Sequence, residues 1–215
     1  MINIFLTCTV YPRKNISWLK QRDHNERIRM YLEIIRLWLY NTDLKIIVIE
    51  NSGYPFQELN DLKEKFKERF KLITFDYNNI PINDKEFLEN KQAKGHHELY
   101  AINYAFKNAD IDENDIIFKI TGRYFIPEFK NYINNLKDEN KVFVQNTVWR
   151  GYYRCEILGC HYRYFNQLFE YPSTNDMIEE EYTKRINKID NKLILPRLKL
   201  HKKTQQGVGT YLEYL

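Results

Sequence analysis

The sequence predicts an α/β domain with a central, mainly parallel sheet of about six strands flanked by helices. Three observations predict it. Short runs rich in Ile, Val and Phe alternate with amphipathic stretches, the pattern of strands joined by crossover helices. At 215 residues the chain suits one such domain with a real core, and is short for two. The apolar run 115–120 ends in Thr121-Gly122-Arg123, a tight turn at the carboxyl end of a strand. Ligands gather at such ends in sheets of this kind.

Each element follows from local pattern. Residues 2–9 read as a buried opening strand. Asp23-His24-Asn25-Glu26 resembles a capping box, and Ile28, Tyr31, Leu32, Ile35 and Trp38 follow at helical spacing. Residues 45–49 form a second strand, closed by Glu50-Asn51-Ser52-Gly53, a turn signal. Residues 56–70 predict a charged helix with Leu59, Leu62, Phe66 and Phe70 inward, and 72–75 a third strand. The stretch 76–93 is the longest without regular pattern, a length typical of lids and binding loops. A helix over 95–108 carries Leu99, Ile102 and Phe106 on one face, and 116–120 form the fourth strand. Pro127 suits the first turn of another helix. Residues 141–144 add a strand, and 148–159 supply one or two more. Ser173-Thr174-Asn175-Asp176 caps a last helix reaching Ile189. A final strand over 193–200 precedes a polar tail.

Composition excludes several classes. Hydrophobic residues make up 43% and aromatics 15%, so the chain is globular rather than disordered. The net charge of +4 is mild and the charges are interspersed, which argues against a nucleic-acid partner. Arg197, Lys199, His201, Lys202 and Lys203 form a local basic cluster suited to a phosphorylated small molecule. The cysteines Cys8, Cys155 and Cys160 form no CxxC pair and are odd in number, as expected of a reducing, cytoplasmic setting. No signal peptide is visible, and no run approaches the ~20 apolar residues of a membrane span.

Motif by motif, GxGxxG, GxxxxGK[ST] and GxSxG are all absent, which weakens dehydrogenase, P-loop and hydrolase readings. His96-His97 lacks the HExxH spacing, and adjacent helical side chains point about 100° apart, so an ordinary polar helix entry explains the pair better than a metal. Lys94-Gly95 at a helix start suits either a phosphate or plain solvation. Glu50-Asn51 and Asp76-Tyr77-Asn78, at strand ends, suit ribose or base contacts, or turn caps. Trp149-Arg150-Gly151-Tyr152 pairs aromatic faces with guanidinium groups, fitting sugar rings and anions or simple packing.

The element order, with Lys94-Gly95-x-x-Glu98 and Phe118-Lys119-Ile120-Thr121-Gly122-Arg123-Tyr124, resembles a GT-A glycosyltransferase. It is similar to the small nucleotide-sugar transferases of large DNA viruses and bacterial polysaccharide clusters, and to the amino-terminal glycosyltransferase domain of a chlorella virus protein. The resemblance implies one GT-A-like domain over 1–215, alone or within a longer protein. That domain would move a hexose or deoxyhexose from a UDP-sugar such as UDP-glucose to a glycan or glycoprotein acceptor, in host cytoplasm if viral. The family places Asp-x-Asp after the fourth strand to hold Mn²⁺ or Mg²⁺. Here Thr121-Gly122-Arg123 stands there. Either Arg123 replaces the metal's charge, or an ion is held elsewhere, with Asp76 the nearest candidate. The donor would meet Thr7, Thr9, Arg13, Glu50, Asn51, Asp76, Lys94, Thr121, Gly122, Arg123 and His201 of the basic tail. The acceptor would meet Trp149, Arg150 and Tyr152. A carboxylate from 176–180, Asp176 or Glu180 above all, would be the base if the enzyme inverts, with Arg123 stabilising the leaving group. Two alternatives stay open: a nucleotide-sugar or glycan-binding module without catalysis, and a nucleotidyltransferase-like enzyme.

Overall fold

The computed structural model describes the chain except Asn15, Ser17, Trp18, residues 90–93, Asn135, Asp138, Thr147, 172–176 and 206–210; for Val148, Trp149 and Gln205 it describes the backbone alone. In chain order the elements are β1 (Ile2–Cys8), α1 (His24–Asn41), β2 (Lys45–Glu50), α2 (Asn60–Lys65), β3 (Phe70–Thr74), α3 (Ile82–Glu89), α4 (Lys94–Asn108), β4 (Ile116–Thr121), α5 (Phe129–Ile133), β5 (Val142–Val144), β6 (Val148–Trp149), β7 (Tyr152–Tyr153), β8 (Ile157–His161), α6 (Phe165–Phe169), α7 (Ile178–Asn187), β9 (Lys192–Ile194), β10 (Lys199–Gln205) and β11 (Tyr211–Tyr214).

Seven strands build the central sheet in the order β3-β2-β1-β4-β8-β5-β9. All neighbours run parallel except β8, which is antiparallel to both β4 and β5. The inner strands are apolar on both faces because helices cover both. One layer packs α1 through Ile34, Ile35, Trp38 and Leu39 against Ile4, Leu6 and Phe118. The other packs Leu99 and Ile102 of α4, Leu168 of α6 and Tyr182 and Ile186 of α7 against Phe5, Ile117 and Leu158. The expected class stands, with one strand more than expected.

Several boundaries move, for identifiable reasons. Asp23 does cap α1, accepting from the Glu26 backbone N–H at 2.7 Å. The long helix expected over 56–70 is instead a 3₁₀ turn (Gln57–Leu59) and the short α2. Phe56 adopts a left-handed conformation, φ 44°, and the chain turns early because the Phe66 carbonyl accepts from the N–H groups of both Arg69 and Phe70. The Arg69 guanidinium pins that turn on the carbonyls of Leu44 and Leu39, so Phe70 already lies in β3. The stretch 76–93 is not irregular throughout. Asp76 caps a 3₁₀ turn (Tyr77–Asn79) and α3 follows. The expected cap 173–176 lies outside the described residues; α7 starts at Ile178, with Met177 at its N-cap and no side-chain bond there. The expected tail folds back as β10 and β11, closed by paired backbone bonds between Leu198 and Leu215.

Candidate active site

The carboxyl ends of β1, β2 and β4 meet the start of α4. Thr7, on β1, donates its hydroxyl to Glu98 Oε1 at 2.5 Å. Glu98 Oε2 lies 3.0 Å from the ammonium of Lys119 on β4, which is 1% exposed. That ammonium also donates to the Cys155 carbonyl and reaches Thr121 Oγ1 at 3.5 Å, so a charge buried in the sheet has a partner in each direction. Burial disfavours the Lys119 cation, but Glu98 and the other acceptors more than offset it, and its pKa ends above the ordinary lysine value. The result is a rigid polar floor beneath the strand ends.

Thr121 to Tyr124 form the wall beside it. The Tyr124 N–H closes a turn onto the Thr121 carbonyl at 3.0 Å, and the Gly122 N–H donates to the Thr7 carbonyl at 3.0 Å. A Cβ on Gly122 would lie 2.6 Å from Cys8 Sγ and 2.7 Å from the Thr7 carbonyl oxygen. Gly122 is therefore required by the contact between β1 and β4, and packing rather than donor contact is what occupies it. Beyond it, Trp38 Nε1 donates to the Tyr124 carbonyl at 2.9 Å. Arg123 is thus carried between two anchored residues. Its buried Nε has no hydrogen-bond partner, and no ion pair with Glu128 or another carboxylate forms among the described residues.

Lys94 opens α4 one helical turn before Glu98, on the same face, near enough to Arg123 for their charges to act on each other. Its side chain reaches solvent. Protein crowding the ammonium lowers its pKa, the Arg123 guanidinium lowers it further, and Glu98, Cys155 and Glu179 act against both; solvent tempers each of these. Gly95 lets α4 approach α7, since a Cβ there would lie 2.2 Å from Ile178 Cγ2. Gly95 therefore serves helix packing and offers no open backbone to a phosphate. Glu179, the neighbour of Ile178 on α7, lies near enough for its charge to raise the pKa of both Lys94 and Cys155. Glu180 points elsewhere, pairing with Lys184 at 3.1 Å.

On the β2 side, Thr9 Oγ1 donates to Asn51 Oδ1 at 2.7 Å, and Asn51 Nδ2 reaches the His97 carbonyl at 3.4 Å. Arg13 lies over the Tyr77 ring at 4.1 Å, and Tyr77 tilts against His97 at 5.8 Å. Thr9, Arg13 and Asn51 therefore gather on this side as expected, joined by Tyr77.

Other expected residues have different roles. Glu50 is fully buried and accepts from the N–H groups of Val10 (3.0 Å), Ser52 (2.9 Å) and Tyr54 (2.8 Å) and from the Ser52 hydroxyl. It staples the β1 and β2 loops and presents nothing to a donor. His201 lies on the α1 side, 3.4 Å from Glu33, which also holds Lys202 at 2.5 Å. Arg197 covers the Tyr214 ring. The basic tail therefore packs on α1 and its own hairpin. Arg150 and Gly151, with φ of 51° and 83°, form the tight turn of the β6–β7 hairpin. That hairpin rests on α7 through the Tyr153 N–H and Thr183 Oγ1 at 2.8 Å, so half-buried Tyr152 and exposed Arg150 flank the site. The Trp149 side chain and Asp176 lie outside the described residues.

The described residues do not fit a divalent ion. Asp76 Oδ1 accepts from the Asn78 backbone at 2.7 Å and from its side chain at 2.9 Å. No group of three His, Cys, Asp or Glu side chains able to hold a metal occurs among the described residues. Burial pushes the thiols of Cys8, Cys155 and Cys160 well above the ordinary value.

Sequence reasoning gave no separate role to Glu98, Lys119 or Tyr77, and held Glu179 only within the 176–180 stretch expected to supply the base. A signal existed for two of them. Lys119 interrupts an otherwise apolar strand, and Lys94 and Glu98 share a helix face.

No protein-family model matches this sequence, and no curated protein matches it. Solved structures do match by shape. The glycosyltransferase GlyE of Streptococcus pneumoniae TIGR4 aligns with a TM-score of 0.50 at 11% identity, over 90% of this chain and 44% of that one. A putative nucleotide-diphospho-sugar transferase from Desulfovibrio desulfuricans G20 gives 0.45 at 14%, over 86% and 75%. The 4-diphosphocytidyl-2C-methyl-D-erythritol synthase of Anaerococcus prevotii DSM 20548 gives 0.45 at 11%, over 90% and 86%. The chain thus spans less than half of GlyE. The GlyE alignment together with the strand order makes the fold GT-A-like, a single α/β domain. No helix among the described residues is long and apolar enough to cross a membrane.

Proposed function

We propose that this chain is a nucleotide-sugar-dependent glycosyltransferase that moves a hexose or deoxyhexose from a UDP-sugar to a glycan acceptor. One observation carries the reading. Lys94 and Arg123 both lie at the strand ends, beside the space beyond them and near enough for the guanidinium to act on the Lys94 ammonium, and Arg123 forms no ion pair with a carboxylate among the described residues. Two cations held this way repel each other until an anion joins them. The space lies where ligands sit in sheets of this kind.

In the proposed reaction, the bond between the anomeric carbon and the β-phosphate oxygen breaks and leaves its electron pair on the diphosphate. The acceptor hydroxyl oxygen bonds to that carbon, and its proton passes to a carboxylate on the first turn of α7. Glu179 is the described residue suited to this, since Glu180 is paired with Lys184. Cations preset beside the leaving group favour the charge that develops there. Asn51, Thr9, Arg13 and Tyr77 line the side proposed for the nucleoside. Arg150, Tyr152 and Trp149, on the flanking hairpin, are proposed for the acceptor. A nucleotidyltransferase of related fold needs a glycine-rich loop after its first strand to cradle the triphosphate, and residues 7–14 contain no glycine.

The test is a panel of UDP-sugars, screened by thermal shift and by UDP release with and without glycan acceptors. The expected result is a raised melting temperature with UDP compounds and acceptor-dependent UDP release. Tight NAD binding with no response to any UDP compound would reject the proposal.

A further inference from the structure

Resting on that donor-site reading, we propose that Lys94 and Arg123 hold the nucleoside diphosphate directly, in place of a divalent cation. The geometry that places them is rigid on both sides. Arg123 projects from a turn closed by its own 3.0 Å bond, jammed at Gly122 against Cys8 and Thr7, and clamped at Tyr124 by Trp38. Lys94 opens a helix fastened to the same strand end by the 2.5 Å bond between Thr7 and Glu98, and to β2 by Asn51 and the His97 carbonyl. Among the described residues neither cation forms an ion pair with a carboxylate, although the charges of Glu98 and Glu179 act on Lys94. The carboxylate nearest the floor, Glu98, is engaged by Lys119 and Thr7. Arg123 keeps a buried, unbonded Nε–H.

Among the described residues a divalent ion has no comparable place. The turn that would carry its carboxylates carries Thr121 and Arg123 instead, and Asp76 is bonded to Asn78 and belongs to no group of three ligating side chains among the described residues. A dication near Lys94 and Arg123 would meet two like charges. A diphosphate meets two donors suited to it, a planar fork that binds phosphate oxygens in pairs and a flexible ammonium that follows the remaining charge.

The experiment is titration calorimetry of the whole chain with UDP, in EDTA and again with excess Mn²⁺ or Mg²⁺, on wild type, Arg123→Ala, Arg123→Lys and Lys94→Ala. The expected result is UDP affinity equal within about twofold in the two buffers. Each alanine variant should weaken it by about ten- to a hundredfold, the range of a charge-assisted hydrogen bond, and Arg123→Lys should recover part of the loss. UDP binding that appears only with the metal would overturn the inference and leave the glycosyltransferase reading standing. Metal-free binding unchanged in both alanine variants would overturn it too. No UDP binding in either buffer would overturn both. Lys94 reaches solvent, so its variant keeps the test open even if Arg123→Ala fails to fold.

Discussion

At the β4 turn, a hydrogen in place of a methyl group lets β1 and β4 close. Gly122→Ala forces a Cβ within 2.7 Å of a backbone oxygen that cannot rotate away. We expect it to lower stability by about 1–3 kcal/mol, as overpacking does, read as an earlier urea midpoint; an unchanged midpoint would show that the turn relaxes freely. The floor beneath gives an asymmetric prediction. Lys119 is almost wholly buried, whereas Glu98 keeps 23% of its side chain exposed. Glu98→Gln leaves an ammonium without its counter-charge and should cost about 3 kcal/mol, as breaking a buried pair does. Lys119→Met leaves a carboxylate that water reaches, and should cost less. Chemical denaturation of both variants measures the difference, and the opposite order would mean that Glu98 is the desolvated partner. At this scale the sequence was legible where a residue type is rare in its setting, as with glycine and arginine at a strand end. It was not legible for Glu50, because a carboxylate at a strand end looks the same whether it faces a ligand or the backbone of its own turn.

Among the elements, the contact between α4 and α7 controls where Lys94 stands. Gly95→Ala would drive a methyl into Ile178, whose branched Cβ sits 2.7 Å from the new atom. The two helices must separate, and both stability and UDP affinity should fall; Ile178→Ala in the same chain should restore part of each. Calorimetry showing normal affinity in Gly95→Ala would mean that Lys94 does not depend on this packing. The carboxy-terminal hairpin yields a pH prediction. Burial pushes Glu33 upward, but Lys202 and His201 together hold it below the ordinary carboxylate value. His201 also lies below its ordinary value, first through burial, with Glu33 acting against the shift. Both shifts are downward. Between each depressed value and the ordinary one the unfolded chain binds more protons, so stability rises with pH through both windows. Those windows end near about 4.3 for Glu33 and about 6.5 for His201. Tm should climb from pH 3 to 7; Glu33→Gln should flatten the lower part of the rise, below about pH 4.3, and His201→Asn the upper part. A profile unchanged in both would contradict docking of this hairpin through Glu33. Long apolar strands and α1 were legible because their patterns repeat. The shortness of α2 and the folded tail were not, since Arg69 and the pairing of Leu198 with Leu215 act across the chain.

For the whole molecule, sheet polarity organises everything described. Parallel β1, β2 and β4 deliver Thr7, Thr9, Asn51 and Arg123 to one end, and α4 and α7 bring Lys94 and Glu179 to the same place. The alternation of strands and helices foretold that end of the sheet. It could not foretell that β8 runs antiparallel between β4 and β5, or that the basic tail lies on the α1 side, because both depend on contacts distant in sequence. A separate hollow of about 330 Å³, lined by Glu113, Asn114, His161 and Arg163, opens at the opposite end, beside the start of β4. The central claim is that the diphosphate of a nucleotide sugar sits at the carboxyl end. A crystal structure of the chain with UDP tests it most directly. The account predicts the diphosphate between Lys94 and Arg123, above the Glu98–Lys119 pair, with the nucleoside toward Asn51 and Tyr77. A diphosphate seated in the hollow at Arg163, or on the basic hairpin at Lys202, would contradict it.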